Sequence, residues 1–335
     1  MPNRTAARRL LLQQWHPRSR AERLLVVASS LALGLALDAA TNGEWRPIVA
    51  GTATLTAVLA LLPGLAWLVK PVAAHVGLWL VFNLLRAWAD DTIWATWGLG
   101  LVGRLEAWLF GGRLPSALLQ EWFDGPAPLA WYDYGWTAVY LSFFVVPHLA
   151  AALLLWWHRR LFWHYVLATL VLFSLALVGF FALPTSPPWL VTEVVPGRHF
   201  TEMLRVTEAV LRQLDLPFRL FSDDAEPVTR LGQVRLEPNP IAAMPSIHFA
   251  ATVLLVGPAV RAGRFMTSSA IVYTGLMGLA LVYLGEHYVL DLLAGGSLAA
   301  IGWRLAGWWL GGSEPARPRS RRGDAPGSSP PRLDG

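Results

Sequence analysis

The sequence predicts an all-α membrane protein, a polytopic bundle of about eight transmembrane helices, on three observations. Hydrophobic residues make up 55% of the 335 positions and charged residues only 15%, a balance too apolar for a soluble domain of this length. Apolar runs at or near bilayer-spanning length recur along the chain. The turns between those runs alternate between arginine-rich and arginine-poor, the asymmetry that sets orientation in a membrane. The chain has no cysteine, which excludes disulfides, thiolate nucleophiles and cysteine-based metal sites. Its formal net charge of +5 fits cytoplasmic turns, so a membrane, and no nucleic acid, is the expected partner.

Residues 1–23 carry Arg4, Arg8, Arg9, Arg18, Arg20 and Arg23 and are expected to be a basic cytoplasmic N-terminus. Leu24 to Ala40 is the first apolar run. The basic segment before it is long and no small-residue cleavage site stands out after it, so a retained span is expected rather than a signal peptide. A second run covers Pro47 to Val69, and Lys70-Pro71 is expected to separate it from a third, Val72 to Trp88, which holds Asn83 and Arg86 near its far end. Residues 24–70 thus form an N-terminal pair of transmembrane helices. Residues 89–134 mix glycine and scattered charges with Trp94, Trp97, Trp108 and Trp122, which suits amphipathic segments at the interface. Gly135 to Trp157 is the next run, closed by His158-Arg159-Arg160, and Leu161 to Leu183 follows. The polar stretch 184–244 opens with Pro184-Thr185-Ser186-Pro187-Pro188-Trp189, and apolar spacing over 201–216 predicts an amphipathic helix within it. A helix from the Pro245-Ser246-Ile247-His248 segment to Val260, a span over Thr267 to Gly285 and a last one over Val289 to Leu310 complete the bundle. The tail 312–335, rich in Pro, Gly, Ser and Arg, is expected to be disordered and basic.

With the N-terminus inside and the spans alternating, the inside segments are 1–23, the Lys70 turn, His158-Arg159-Arg160, Arg261 to Arg264, and the tail. Four of these five are arginine-rich, as the positive-inside rule requires. The same alternation puts Thr185–Trp189, His248, His287 and Asp291, and also Arg86, at the outer end of their spans. A site on the extracytoplasmic face of the cell membrane, with both termini cytoplasmic, is the expectation.

His287 and Asp291 stand four residues apart in an apolar run, one turn apart on one helix face. Ionisable groups at membrane depth are functional candidates by default. Two histidines, one aspartate and one serine at one face suggest phosphoryl transfer through a phosphohistidine. Asp291 can hold the tautomer of His287 while the other nitrogen attacks phosphorus in line. His248 is the candidate proton donor to the leaving alkoxide. Pro245 and Ser246 look like the first turn of a helix, whose free N–H groups, with the Ser246 hydroxyl, favour an anion.

Ala-Met-Pro-Ser246-Ile-His248 followed by Tyr-Leu-Gly-Glu-His287-Tyr-Val-Leu-Asp291 resembles the second and third signature motifs of the type 2 phosphatidic acid phosphatase superfamily. Thr185-Ser-Pro-Pro-Trp189, some sixty residues upstream, is similar to the branch that contains inositol phosphorylceramide synthase, and Asn83-Leu-Leu-Arg86-Ala-Trp-Ala-Asp90 resembles a stretch of its bacterial relatives. The resemblance implies a six-helix core, here within a membrane domain over 71–311, and metal-independent chemistry with no cofactor. His287 would be the nucleophile, Asp291 its orienting partner, His248 the general acid and Ser246 a phosphate ligand. The substrate would be a lipid phosphate or phosphodiester, and the acceptor water or a polyol such as inositol. The chain departs from the superfamily in three cations. The first motif, KxxxxxxRP, is absent, and Leu281 and Ala280 stand where an arginine and a serine usually precede the nucleophile. Arg86, from its depth, and then Arg198 are the candidate replacements.

Each feature also has a plainer explanation. His287 and Asp291 could be a buried structural pair, and His248 a capped helix start. Arg86 could be an interfacial arginine with its head in water, Thr185–Trp189 a rigid loop, and the histidine–aspartate set a metal site on ligand type alone. The competing function of another class is a non-catalytic lipid-binding or transporter-accessory protein on the same core.

Overall fold

The computed structural model describes residues 22, 28, 46–61, 66–87, 98–123, 128–194, 203–214, 218–219, 234–235 and 241–311. Most of the basic N-terminus and of the expected span 24–40, Arg198, and the tail 312–335 lie outside the described residues.

Helix α1 covers Arg46–Leu61 and α2 covers Val69–Ala87, entered through a 3-10 turn at Ala66–Leu68. Lys70 and Pro71 therefore sit in the first turn of α2 and not between two spans. Proline lacks only an N–H that the first turn leaves unbonded anyway, so it opens a helix as readily as it ends one. The expected boundary between the second and third runs therefore does not lie at Lys70-Pro71. Two short helices follow, α3 (Leu101–Leu109) and α4 (Pro115–Trp122). On α3, Val102, Glu106 and Ala107 turn inward while Leu101, Leu105 and Trp108 are exposed, which suits a segment lying at a lipid interface.

The run expected as one span over Gly135 to Trp157 is two helices. Helix α5 (Trp131–Leu141) and α6 (Val146–Trp157) are separated by a 3-10 turn at Ser142–Phe144 and meet at a 44° bend. Pro147 opens α6, and its missing N–H leaves the carbonyl one turn earlier without a helical partner, which breaks the ladder at this point. Helix α7 (Arg159–Ala182) follows without a loop. The polar stretch holds α8 (Pro188–Val194), α9 (Val206–Gln213) and a two-residue parallel pair, β1 (Phe218–Arg219) with β2 (Val234–Arg235). Helix α9 is the amphipathic helix expected within 201–216; it buries Val206, Val210 and Leu211 on one face. Helices α10 (Ile247–Ala262), α11 (Arg264–Tyr283) and α12 (Val289–Trp309) close the chain.

Among the described residues the regular structure is thus helical, apart from that short pair and an isolated bridge between Thr185 and Ala242. Three helices, α7, α11 and α12, are long and apolar enough to cross a membrane, or four spans if bent α5–α6 counts as one; α10 is apolar but has 16 residues. These helices fit an integral membrane protein. Phe265, Met266, Ile271, Val272, Leu276 and Leu279 of α11 stay exposed, a face that only lipid or another protein would cover at low cost. Inside the bundle α12 packs on α7 and on α10, and α10 packs on α11. The close approach of α10 to α12 depends on Gly295, where a Cβ would come within 2.2 Å of the Ser246 carbonyl oxygen.

Candidate active site

Three chain segments converge at one end of the bundle. The loop after α7 pairs with the segment before α10: the Thr185 N–H donates to the Ile241 carbonyl at 2.8 Å, and the Ala243 N–H to the Thr185 carbonyl at 3.1 Å. Ser186 donates from its hydroxyl to the Leu99 carbonyl at 2.8 Å. Thr185 and Ser186 are fully buried, so this loop acts as a scaffold that joins the segment before α3 to the segment before α10.

Helix α10 begins at Ile247, two residues after Pro245, which the sequence placed in the first turn. Ser246 is the N-cap, with its hydroxyl oxygen accepting the Phe249 N–H at 3.3 Å, and Pro245 precedes it outside the helix. A serine hydroxyl competes well for an orphan first-turn donor, which makes it a better cap than a first-turn residue. The Ile247 and His248 N–H groups have no acceptor within the helix. The cap is tied to the next helix as well: the Ser246 N–H donates to the Asp291 carbonyl at 3.1 Å.

The cap of helix α12 is a carboxylate at its third residue. Asp291 Oδ2 accepts the Tyr288 N–H at 2.9 Å and lies 3.3 Å from His287 Nδ1. His287 Nε2 in turn lies 3.2 Å from His248 Nδ1. An ionised carboxylate only accepts, so His287 carries its proton on Nδ1 and presents a lone pair at Nε2; His248 Nδ1 is then the donor. All four of Ser246, His248, His287 and Asp291 are buried, Ser246 and Asp291 completely. Tyr140 and Phe143 hold the His248 ring, with centroids at 4.9 and 4.2 Å. Phe143 lies in the turn that breaks α5 from α6, so the bend places an aromatic wall against the donor histidine.

Of the sequence-predicted residues, the structure brings these four together. Arg86 is buried, with its guanidinium 5.6 Å from the Phe180 ring centroid on the last turn of α7, just before the Thr185 loop. Leu281 is completely buried, so the position where a cation is usual is part of the apolar core. Among the described residues no group of three or more His, Cys, Asp and Glu side chains is arranged to hold a metal ion.

Two residues were not legible in the sequence. The Arg205 guanidinium stacks on the Trp189 indole at 3.9 Å. Trp189 donates from its indole N–H to Glu286 at 3.2 Å and from its backbone N–H to the Gly285 carbonyl at 3.2 Å; Gly285 adopts φ +73° to make the turn. Gln120 braces the same place, donating to both the Leu204 and Tyr283 carbonyls at 3.1 Å. Arg205 is thus delivered beside the residues that lead into His287, although it stands among several loop arginines with no local mark. The second is Glu106, completely buried on α3, which accepts the Leu290 N–H at 2.9 Å. Burial pushes its carboxyl up to about 7; the Leu290 N–H opposes this, and the nearby Asp291 charge adds to it.

No curated protein and no solved structure matches this chain. A family profile, that of the PAP2 superfamily, matches residues 101–305, a stretch that runs from α3 into α12 and contains every residue of the histidine–aspartate–histidine cluster. The chain belongs to the PAP2 superfamily, the type 2 phosphatidic acid phosphatases and their relatives.

Proposed function

We propose that the protein is an integral membrane phosphatase or phosphotransferase that acts on a lipid phosphate or phosphodiester through a phosphohistidine. The observation that carries this is the His248–His287–Asp291 chain, with a lone pair and a donor meeting at 3.2 Å beside a capped helix N-terminus. His287 Nε2 attacks phosphorus, and the bond to the departing lipid alkoxide breaks. His248 supplies the proton that the alkoxide takes. Asp291 stabilises the positive charge that grows on the imidazole. Water or a polyol hydroxyl then attacks the phosphohistidine while His248 takes back a proton, and His287 is restored. The N-terminal end of α10, with the Ser246 hydroxyl, is suited to the equatorial oxygens.

Arg205 is the cation best supported by contacts for the place left by Leu281, since Trp189 and Gln120 tie its segment to residues 283–286. Arg86, and Arg198 from the sequence alone, remain candidates for a lipid phosphate. The Thr185–Trp189 stretch favours the inositol phosphorylceramide synthase-like branch, and with it inositol or another polyol as acceptor. In this proposal the core has six helices within about eight spans, the site faces outward, and both termini are cytoplasmic.

The test is purified protein with radiolabelled phospholipids, with and without inositol, with products separated by chromatography and the protein probed for acid-labile phosphate. Free phosphate supports a phosphatase, and a new inositol-containing product supports a transferase. No turnover and no phosphoenzyme on any lipid phosphate would sink the proposal in favour of a non-catalytic lipid binder.

A further inference from the structure

Behind the histidine pair lies a buried acid that this chemistry does not use. Glu106 reaches from α3 to the first turn of α12, where one oxygen accepts the Leu290 N–H. Its other oxygen, Oε1, has no hydrogen-bond partner; neither has the Tyr288 hydroxyl nor Asp291 Oδ1, all buried at the same turn. The Asp291 charge acts on the Glu106 carboxyl, and the Tyr288 hydroxyl, pushed well up chiefly by burial, is pushed further by both acids. Two carboxylates cannot satisfy each other, and two like charges in one dry site cannot both persist at low cost. A proton on one of them removes the repulsion and turns an orphan acceptor into a donor.

Of the two carboxylates, Asp291 has the stronger set of partners for a negative charge, because it takes both the Tyr288 N–H and the His287 Nδ1–H. Glu106 has backbone N–H groups alone, that of Leu290 at 2.9 Å and a weaker contribution from Val289, and no cationic or imidazole partner among the described residues. We propose that Glu106 is a positioning residue for the His287–Asp291 pair, holding a proton while the site works so that Asp291 carries the only negative charge of that turn. This rests on His287 as the nucleophile. The titratable groups at this turn are Asp291 and Tyr288, with His287 one residue before. Leu114, Ala117, Val191, Met203 and Met244 form an apolar cluster with Val102 and Ala107 of α3 and with Tyr288, and the buried polar side chains of α4, Ser116 and Gln120, do not titrate.

Deprotonation of Glu106 then places a second charge beside Asp291. Asp291 is drawn toward the neutral form, and His287 loses the acceptor that fixes its tautomer. The expected result is a decline in kcat as the pH rises past neutrality. Burial of the acid sets the range in which this happens, since its carboxyl titrates at about 7.

Two variants separate the possibilities. Glu106→Gln keeps an acceptor for the Leu290 N–H and a donor for the orphan oxygens, but cannot ionise. Glu106→Ala removes both. Infrared titration of the purified protein in detergent should show a protonated-carboxyl band that disappears near neutral pH in the wild type and is missing from Glu106→Gln. The kcat profile of Glu106→Gln should lose the alkaline decline. Glu106→Ala should lose kcat by roughly ten- to a hundredfold through misplacement of the pair, with KM little changed and with Gln, unlike Ala, retaining activity at acidic pH. A wild-type spectrum with no such titrating band, or a Glu106→Gln profile that declines as the wild type does, would overturn the proposal. If the wild type turns over no phosphate ester, the phosphohistidine chemistry fails while the infrared band still decides the protonation of Glu106.

Discussion

His248 Nδ1 and His287 Nε2 lie 3.2 Å apart across 39 residues of sequence. The lone pair that would attack phosphorus rests on the N–H that would serve the leaving group. A substrate phosphate must part these two atoms and take the place of each for the other. Replacing His287 with Ala is expected to abolish turnover and any acid-labile phosphoenzyme. Replacing His248 with Ala should slow substrates with poor leaving groups by about 10²- to 10⁴-fold and activated esters far less. Equal losses on both kinds of substrate, measured as kcat/KM, would remove His248 from the acid role.

Asp291 does two jobs with one oxygen, capping α12 through Tyr288 and orienting His287. Asparagine can still accept the Tyr288 N–H, but its amide can turn a donor toward Nδ1 and favour the wrong tautomer. Asp291→Asn is therefore expected to lower kcat by about 10³-fold or more, as loss of the orienting acid does in comparable triads, while thermal stability in detergent changes little. A large loss of stability with kcat intact would mark Asp291 as a structural cap only.

Gly295 sets how closely the Ser246 turn can sit on α12. A methyl group there meets backbone, 2.2 Å from the Ser246 oxygen, whereas at neighbouring Gly296 it meets the Phe249 ring at 3.2 Å. Gly295→Ala should cost about 1–3 kcal/mol and most of the activity, because it pushes His248 away from His287. Gly296→Ala should be milder, since a ring can shift and a carbonyl in a cap cannot. Melting temperature and kcat of the two variants, side by side, check the difference.

If Arg205 supplies the missing phosphate cation, Arg205→Ala removes charge-assisted hydrogen bonds worth roughly 1.5–3 kcal/mol each. KM for a lipid phosphate should rise at least tenfold, with Arg205→Lys recovering part of the loss. Arg86→Ala, which takes a guanidinium from the Phe180 ring, provides the comparison. An unchanged KM in Arg205→Ala would return the role to Arg86 or Arg198.

Glu106 also predicts the direction of a stability change. Its carboxyl is raised from the ordinary 4.5 to about 7. The folded protein therefore holds this proton over a range in which the unfolded chain has lost it. The associated stability is complete below about 4.5 and is lost as the pH rises through about 7, by up to about 3 kcal/mol. The difference in thermal stability between wild type and Glu106→Gln should fall across that window and level off above it. A flat difference would mean that the acid ionises as freely in the folded protein as in the unfolded chain.

The sequence by itself determined the helical class, the apolar segments and the motif residues Ser246, His248, His287 and Asp291. Those signals are local: hydrophobic runs, a proline–serine helix start, and a spacing of four that places two side chains on one helix face. It also carried an unused signal, Pro147 for the break in the α5–α6 run. Only the tertiary structure decided what stands around the cluster. Phe143 reaches His248 because a bend aims it there, Arg205 reaches the approach to His287 because Gln120 and Trp189 hold its segment, and Glu106 caps a helix 184 residues away. None of these has a periodicity or a neighbour in sequence that betrays it. Each is set by which helix ends the bundle packs together, and so is the charge state of the turn that carries His287 and Asp291.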